Sequence, residues 1–198
     1  MFSGIIETIG IIKKIEELSS GFRYTIQSQK VLQGTKLGDS IAHDGICLTV
    51  IKKGWQTYQV EVMKETIQKT ALSLWKEGSG INLERSLASN QRNGGHQVAG
   101  HVDGIGKISN LRDDGIATVV TIQLPASLTK YMIEKGSVSL DGISLTLTNV
   151  KATSFEVWLI PHTKTHTTLL KKKIGDPVNI EVDMIGKYIE KLMGQKHE

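Results

Sequence analysis

The chain has 198 residues, of which 39% are hydrophobic and 22% charged, with a formal net charge of +4 and one cysteine. This composition is typical of a folded globular protein, and it excludes an internal disulfide and a multi-cysteine zinc site. Scattered basic residues and few aromatics argue against a nucleic-acid partner. No apolar run approaches the ~20 residues of a membrane span and no signal pattern is present, so we expect a cytoplasmic protein without a membrane partner.

One sequence block occurs twice. Residues 44–50 read DGICLTV and residues 141–147 read DGISLTL, an offset of 97 (141 − 44), and GSGINLE at 78–84 recurs as GDPVNIE at 175–181 with the same offset. A period of this length indicates duplicated domains instead of a solenoid. We therefore predict two similar domains, 1–97 and 98–183.

Short β-rich runs separated by Gly, Asp and Asn predict six strands in each half. In chain order they are 5–15, 23–28, 40–43, 46–52, 56–62 and 80–84, then 101–110, 116–123, 137–140, 143–150, 154–160 and 178–182. Helical turns are predicted at 66–73 and at 126–134. Six short strands without long helices favour a closed antiparallel barrel in each half, and hence an all-β fold.

The last segment, 184–198, has no copy in the first half. Its apolar residues recur with helical spacing and predict one apolar stripe on an amphipathic helix: Met184, Ile185, Tyr188, Ile189, Leu192 and Met193. A lone short helix is marginal in water. The stripe packs either on its own barrel or on another subunit, and the sequence pattern favours neither.

Five motifs in this order resemble the riboflavin synthase family: MFSGIIE at 1–7, SIAHDGICLTV at 40–50, GGHQVAGHVDG at 94–104, KGSVSLDGISLTL at 135–147 and IPHT at 160–163. The resemblance covers almost the whole chain. It implies two six-stranded Greek-key barrels and a terminal helix that assembles a homotrimer.

The resemblance also implies the reaction. Two molecules of 6,7-dimethyl-8-ribityllumazine dismutate by four-carbon transfer, which makes the protein a transferase and gives riboflavin and 5-amino-6-ribitylaminouracil. No cofactor and no metal is expected. The family's site lies between the first barrel of one subunit and the second barrel of its neighbour. The resemblance also leaves open an association with lumazine synthase.

The catalytic candidates that the resemblance singles out are Phe2, Ser40, Cys47, His101 and Asp183. Cys47 could add to a ring carbon, and His101 could move a methyl proton. Each has a structural alternative: a buried strand cysteine, a structural histidine, a polar residue opening a strand (Ser40), a helix N-cap (Asp183) and a core aromatic (Phe2).

The resemblance also assigns substrate contacts to both barrels. For the first pocket they are Gly4, Ile5, Ile6, Cys47, Leu48, Thr49, Glu61, Val62, Met63, Lys64, Glu65 and Thr66. For the second they are Gly100, His101, Val102, Lys135, Ser144, Leu145, Thr146, Trp158, Leu159, Ile160, Pro161, His162 and Thr163. Five of these residues carry a hydroxyl group that can bind the ribityl chain: Thr49, Thr66, Ser144, Thr146 and Thr163. His162 stands where the family often has Glu, and Asp44 where it often has Asn.

The two halves differ chemically. Cys47 corresponds to Ser144, and His101 corresponds to the apolar Ile5. One pocket could therefore hold the donor and the other the acceptor. A second hypothesis is a non-catalytic lumazine- or flavin-binding antenna protein of the same fold, but such relatives tend to lose the reactive side chains that this chain keeps.

Overall fold

The computed structural model describes residues 1–194, so positions 195–198 of the predicted tail helix lie outside the described residues. The first half contains β1 (Thr8–Leu18), β2 (Gly21–Gln27), β3 (Ser40–His43), β4 (Ile46–Lys53), β5 (Thr57–Met63), α1 (Lys64–Lys69), a 3-10 turn (Ala71–Leu74) and β6 (Gly80–Arg85). The predicted β-strands of this half are confirmed, and extended backbone at Thr70 divides the predicted helical turn into α1 and the 3-10 turn.

The first barrel is closed. Its antiparallel strands follow the order β1-β2-β5-β4-β3-β6, and β6 pairs with β1. Alternation directs every second side chain inward, as in β5, where Tyr58, Val60 and Val62 are buried and their neighbours are not. These side chains belong to one core with inward residues of the other five strands.

The second half repeats this plan with one difference. It contains β7 (Gly104–Asp114), β8 (Ala117–Gln123), α2 (Ala126–Thr129), β9 (Ser137–Leu140), β10 (Ile143–Thr146), β11 (Thr148–Lys151), β12 (Ser154–Leu159), α3 (Pro161–His166), a 3-10 turn (Leu169–Lys171) and β13 (Pro177–Val182). The strand order is β10-β9-β13-β7-β8-β12-β11, which makes a curled seven-stranded sheet.

The predicted strand 143–150 is therefore two strands. Leu147 separates them because its backbone bonds to the loop before β9: its N–H donates to Gly136 O, and its carbonyl accepts from Lys135 N–H, each at 2.9 Å. The duplicated all-β architecture is confirmed, while six-stranded closure holds for the first half only.

The two units meet through their Asp-Gly hairpin turns. Asp44 and Gly45 have φ of 45° and 81°, and Asp141 and Gly142 have the same values. Positive φ at both central residues defines the turn type that suits a twisted two-residue hairpin. A Cβ on Gly45 would lie 2.8 Å from the backbone N of Gly142, so glycine is required at this contact.

Two asparagines link the units reciprocally. Asn82 Nδ2 donates to the carbonyl of Asp141 at 3.0 Å, and Asn179 Nδ2 donates to the carbonyl of Asp44 at 2.9 Å. Both side chains are buried. The duplication thus forms an internal interface with the reciprocity of a twofold dimer.

A buried charge group lies beside these turns. The indole of Trp75 donates to Asp44 Oδ2 at 3.1 Å, and Lys172 Nζ lies 2.5 Å from Asp141 Oδ2. Burial, together with the carboxylate of Asp141, raises the pKa of Asp44 to about 7. Burial alone would lower the pKa of Lys172, but the neighbouring carboxylates raise it above its usual value.

The terminal helix α4 (Met184–Gly194) lies against the second unit through polar contacts. Lys187 Nζ lies 2.6 Å from Asp103 Oδ1, and Glu190 accepts from Lys130 and Tyr131. The apolar stripe stays exposed: Ile185, Tyr188, Ile189, Leu192 and Met193 are all at least half accessible. No helix within residues 1–194 is long and apolar enough to cross a membrane.

Candidate functional site

Two short segments precede the two sheets, and we call them the first lead-in (residues 2–6) and the second lead-in (residues 98–102). They pair with each other: Phe2 N–H donates to Val98 O at 2.7 Å, and Val98 N–H donates to Phe2 O at 3.1 Å. Phe2 and Val98 are buried together with Ala42, beside the half-buried Cys47. The lead-ins therefore cross where the two units meet.

The second lead-in lies against the strand that carries Cys47. The N–H of Cys47, on β4, donates to the carbonyl of Gly100 at 2.9 Å. Gly100 has φ of 81°, and a Cβ there would fall 2.6 Å from Cys47 Cβ, so only glycine allows this approach. His101 follows directly and is exposed. The Cys47 residue of the first barrel and the His101 residue of the second lead-in are thus on adjoining backbone.

A buried carboxylate fixes the second lead-in. Glu181, on β13, accepts three backbone hydrogen bonds, from Ala99 at 2.6 Å, Gly100 at 2.9 Å and His101 at 3.1 Å. Burial raises the pKa of Glu181, against the lowering effect of these donors. Glu181 is itself buried, and its hydrogen bond to the N–H of His101 sets the backbone position of that residue.

The first lead-in is held in the equivalent way. Glu84, on β6, accepts from Ser3 N at 2.7 Å and from Gly4 N at 3.0 Å. Gly4 in turn accepts a 2.8 Å hydrogen bond from the N–H of Ser144 on β10. A Cβ on Gly4 would lie 2.6 Å from Ser144 Cβ, so this approach also requires glycine.

These contacts correct the expected grouping of the lead-ins. The resemblance places Gly4 and Ile6 at the first pocket, but Gly4 bonds to β10 and Ile6 packs against the second core. It places Gly100 and Val102 at the second pocket, but they border β4 and the first core. The physical reason is the crossing: each lead-in is anchored on its own sheet and reaches across to the other.

A second histidine belongs to the surface around Ser144. His96 Nδ1 lies 2.6 Å from Ser144 Oγ, and the N–H of His96 donates to Ser3 O at 3.2 Å. Burial lowers the pKa of His96, and the carboxylate of Asp183 opposes this shift. The lowered pKa of His96 favours the neutral imidazole, which can donate or accept at Ser144. The second unit thus also has an imidazole, held differently from His101.

Ser40 lies on the strand of the first barrel that pairs with the strand carrying Cys47. It opens β3 opposite Thr49 and lines a cavity of about 330 Å³ together with Glu7, Asp39 and Arg85. Neither Cys47 nor His101 is among the residues that line this cavity. Within the β3–β4 pair, Ser40 lies two residues before Ala42, which is opposite Cys47, so Ser40 and Cys47 are on the same face of this pair.

Two further candidates have structural surroundings. Phe2 is fully buried, which matches the core alternative for this residue. Asp183 Oδ1 accepts from Ile185 N–H at 3.0 Å, which is the N-cap interaction at the start of α4. The side chain of Asp183 is only half-buried, so it remains accessible beside His96 as well.

Strand alternation divides the remaining expected substrate contacts into buried and exposed side chains. Leu48, Val62, Leu145 and Leu159 are buried, and their side chains pack within the two cores. The exposed side chains are those of Ile5, Thr49, Glu61, Met63, Lys64, Glu65, Lys135, Thr146, Trp158, Ile160, Pro161 and His162. Thr66 and Thr163 occupy equivalent half-buried positions in α1 and α3, and their carbonyls accept from Thr70 and Thr167.

The sequence reasoning missed His96, Glu84 and Glu181. His96 lies inside the GGHQVAGHVDG motif, but no period in that loop indicates its contact with Ser144. The two glutamates end the repeated blocks GSGINLE and GDPVNIE. The same acidic residue in both copies of a buried strand could have indicated that these two side chains have a role. Within residues 1–194, no group of three or more His, Cys, Asp or Glu side chains could hold a metal ion.

Comparisons with known proteins agree on one family. The family model described as the lumazine binding domain matches residues 3–86 and again 99–183. A riboflavin synthase of Actinobacillus pleuropneumoniae is 45% identical over 196 residues, which cover 99% of this chain and 91% of that protein. A riboflavin synthase of Bacillus subtilis (strain 168) is 42% identical over 198 residues, covering 100% and 92%.

The fold is also that of a solved protein. The structure of LumP complexed with 6,7-dimethyl-8-(1'-D-ribityl) lumazine aligns with a TM-score of 0.83 at 22% identity, covering 92% of this chain and 99% of that one. At this identity the similarity concerns the fold alone. The two matched domains and the full-length relatives establish that the chain belongs to the riboflavin synthase family.

Proposed function

We propose that this protein catalyses the dismutation of two 6,7-dimethyl-8-ribityllumazine molecules to riboflavin and 5-amino-6-ribitylaminouracil. One molecule gives four carbons to the other, and no further reactant is consumed. The observation that carries the proposal is the pairing of Cys47 and Gly100, which places a thiol and the exposed His101 on adjoining backbone in a chain of this family.

We assign the chemical steps by residue type. His101 takes and returns the proton of the acidic ring methyl, because imidazole changes protonation near neutral pH. Cys47 contacts the partner ring; where its thiolate adds to a ring carbon, the same C–S bond breaks again before the products leave and the thiol is returned unchanged. Ser144 occupies the equivalent position in the second unit, and its hydroxyl is a weaker nucleophile than the thiol of Cys47. The two pockets therefore hold the same molecule in unequal chemical surroundings.

The two molecules react because they are held together. Fixing two reactants in one orientation can lower a barrier by about 7 kcal/mol or more. We propose that the first barrel of one subunit faces the second barrel of a neighbour, with chain units at 1–97, 98–183 and 184–198 and a homotrimer built on α4. The exposed apolar stripe of α4 supports this assembly, because such a stripe is normally covered. A complex with lumazine synthase remains a prediction.

One assay tests the reaction. The purified full chain is mixed with 6,7-dimethyl-8-ribityllumazine and no cofactor, and both lumazine loss and riboflavin formation are followed by absorbance. One riboflavin for each two lumazines consumed is the expected result. Stable binding of lumazine without turnover would identify an antenna protein instead and overturn the proposal.

A complementation experiment tests the subunit boundary. Thr49 and Thr146 are exposed equivalents on β4 and β10, and arginine at either would fill its pocket without entering a core. Thr49→Arg and Thr146→Arg chains should each be inactive, and mixing them after dissociation should restore activity. In a mixed oligomer, the intact first pocket of a Thr146→Arg chain can face the intact second pocket of a Thr49→Arg chain. This restores a working site only if each site is shared between two subunits. Failure to recover any activity in verified mixed oligomers would contradict the shared site.

A further inference from the structure

Two histidines lie one turn apart on α3. His162 and His166 are both exposed, and their rings stack with centroids 4.1 Å apart and an interplanar angle of 19°. Residues four apart on a helix share one face, so both imidazoles point to the same side. The one lysine between them is directed elsewhere, since Lys164 Nζ donates to the carbonyl of Ile116 at 3.1 Å.

The hydrogen bonding of His166 favours one tautomer, in which the proton on Nδ1 faces the His162 carbonyl and the Thr165 hydroxyl. Its Nδ1 lies 2.8 Å from the carbonyl oxygen of His162. A carbonyl only accepts, so the neutral ring carries its proton on Nδ1 and keeps its lone pair on Nε2. Metal-bound histidines have this arrangement, in which the other ring nitrogen donates to a carbonyl and orients the ligand. His166 is therefore prepared to bind a cation through Nε2.

The duplication supplies an internal comparison. The positions equivalent to His162 and His166 in the first half are Glu65 and Lys69, which form an ordinary ion pair with Nζ and Oε1 2.6 Å apart. The same helical geometry thus holds two opposite charges in one half and two imidazoles in the other. Only the second arrangement offers two lone pairs to a shared ion.

We propose that His162 and His166 form a binding site for a divalent transition-metal ion such as Zn²⁺, with water completing the coordination. Imidazole suits Zn²⁺, Ni²⁺ and Cu²⁺, whereas Mg²⁺ prefers oxygen ligands. Tetrahedral Zn–N bonds of about 2.0–2.1 Å hold two nitrogens about 3.4 Å apart. The two rings are stacked with nearly parallel planes, so each side chain must turn out of the stack before its ring nitrogen points to a shared ion.

This site is separate from the proposed reaction, which uses no metal. His162 is also one of the proposed lumazine contacts, so a bound ion should compete with lumazine at the second pocket. That consequence alone rests on the proposed function. Metal binding is measured without lumazine, so the outcome for the cation site does not depend on whether the reaction assignment is correct.

The test is calorimetric titration of the full chain with Zn²⁺ at neutral pH, with Mg²⁺ as the cation control. We expect saturable binding of Zn²⁺ that His166→Gln weakens about tenfold or more. The variant His101→Gln, which changes a third exposed histidine, should leave the Zn²⁺ affinity unchanged. The double variant Glu65→His with Lys69→His should create a second Zn²⁺ site. The geometry is then tested by creating Zn²⁺ binding in the first half as well as by removing it from the second.

Three results would overturn the site: no saturable Zn²⁺ binding, equal affinity in the His166→Gln variant, or equal binding of Mg²⁺. The variants change exposed side chains, so folding should be retained, and circular dichroism checks this directly. Zn²⁺ should also raise the melting temperature of the parent chain but not that of His166→Gln, because an ion bound only to the native state stabilises it.

Discussion

Cys47 and Gly100 are joined by a 2.9 Å backbone hydrogen bond, from the N–H of the first to the carbonyl of the second. The bond connects β4 of the first barrel to the lead-in of the second sheet. His101, one residue further on, therefore has a fixed relation to Cys47 that no side-chain contact provides. The reactive groups are positioned by backbone, and their geometry depends on residues that carry no reactive atom.

Gly100→Ala should abolish most of the activity. The new Cβ would lie 2.6 Å from Cys47 Cβ and 2.9 Å from the ring of Phe2, so the lead-in must shift. A displacement of about 1 Å at a reacting group can lower the rate on the order of 10²-fold. Steady-state kinetics on lumazine, with unfolding in urea alongside, measure both the rate and the stability.

The matched control for this substitution is Gly78→Ala. Gly78 has φ of 87°, close to the 81° of Gly100, but nothing lies within 4 Å of its Cβ position. The Gly78→Ala variant should therefore have the same backbone strain of about 1 kcal/mol as Gly100→Ala, but no steric conflict. Equal loss of activity in both variants would show that strain, not displacement of the lead-in, is responsible.

Glu181→Gln should lower kcat on the order of 10²-fold, because an amide NH₂ in place of one oxygen faces backbone donors and releases His101. Leaving buried donors unpaired should also destabilise the fold by about 1–3 kcal/mol. Glu84→Gln is the matched variant, since it releases Gly4 beside Ser144 instead, and it should mainly raise KM. Identical kinetic effects from both would argue against a positioning role specific to His101.

Much of this arrangement follows from the sequence. The offset of the repeats alone pairs Cys47 with Ser144, and strand alternation separates buried from exposed wall residues. The crossing of the lead-ins could not be predicted, because Gly4 and Gly100 bond to partners that only the docking of the two units brings near. Local pattern contains no information on that docking.

The split in the second sheet was hidden for a related reason. Residues 143–150 read ISLTLTNV, an alternation that continues through Leu147 without interruption. The break arises from hydrogen bonds between Leu147 and the loop at 135–136, so it depends on a tertiary contact. Asn149, with φ of 49°, was the one local sign, since asparagine tolerates the left-handed region better than most residues.

Cys47→Ser and His101→Gln should both reduce turnover strongly, by about 10²–10⁴-fold if His101 transfers the methyl proton. Ser144→Cys provides the control for the first, because it restores a thiol on the wrong sheet and should not compensate for Cys47→Ser. Single-turnover riboflavin formation and separate lumazine binding distinguish lost chemistry from lost affinity. Full turnover in both single variants would remove the chemical basis of the unequal pockets.

Asp44→Asn should change how stability depends on pH. Burial and the Asp141 carboxylate raise the pKa of Asp44 from 3.8 to about 7, so the folded state binds a proton that the unfolded state has lost. This contribution is complete below about pH 4 and is lost as pH rises through 7. The free energy of unfolding should therefore fall between about pH 4 and pH 7, by at most about 1.4 kcal/mol for each pH unit, and level off above pH 7.

Asparagine cannot titrate, so the Asp44→Asn variant should lack this decrease and gain relative stability above about pH 7. Urea unfolding at a series of pH values measures the slope. Asp114→Asn, at an exposed ion pair with Arg112, should keep the slope of the parent chain. A slope unchanged by Asp44→Asn would place the proton on another group.

Ile189→Glu should disrupt the proposed trimer. Ile189 is half exposed on the stripe of α4, and a carboxylate buried against a neighbouring apolar surface is strongly unfavourable. Light scattering should give three times the chain mass of 21.8 kDa for the parent protein and the single-chain mass for the variant. Lys191→Glu changes the charge of the same helix outside the stripe and should stay trimeric. Because the proposed site is shared between subunits, Ile189→Glu should lose turnover together with assembly, and a fully active monomer would contradict both the helix assignment and the shared site.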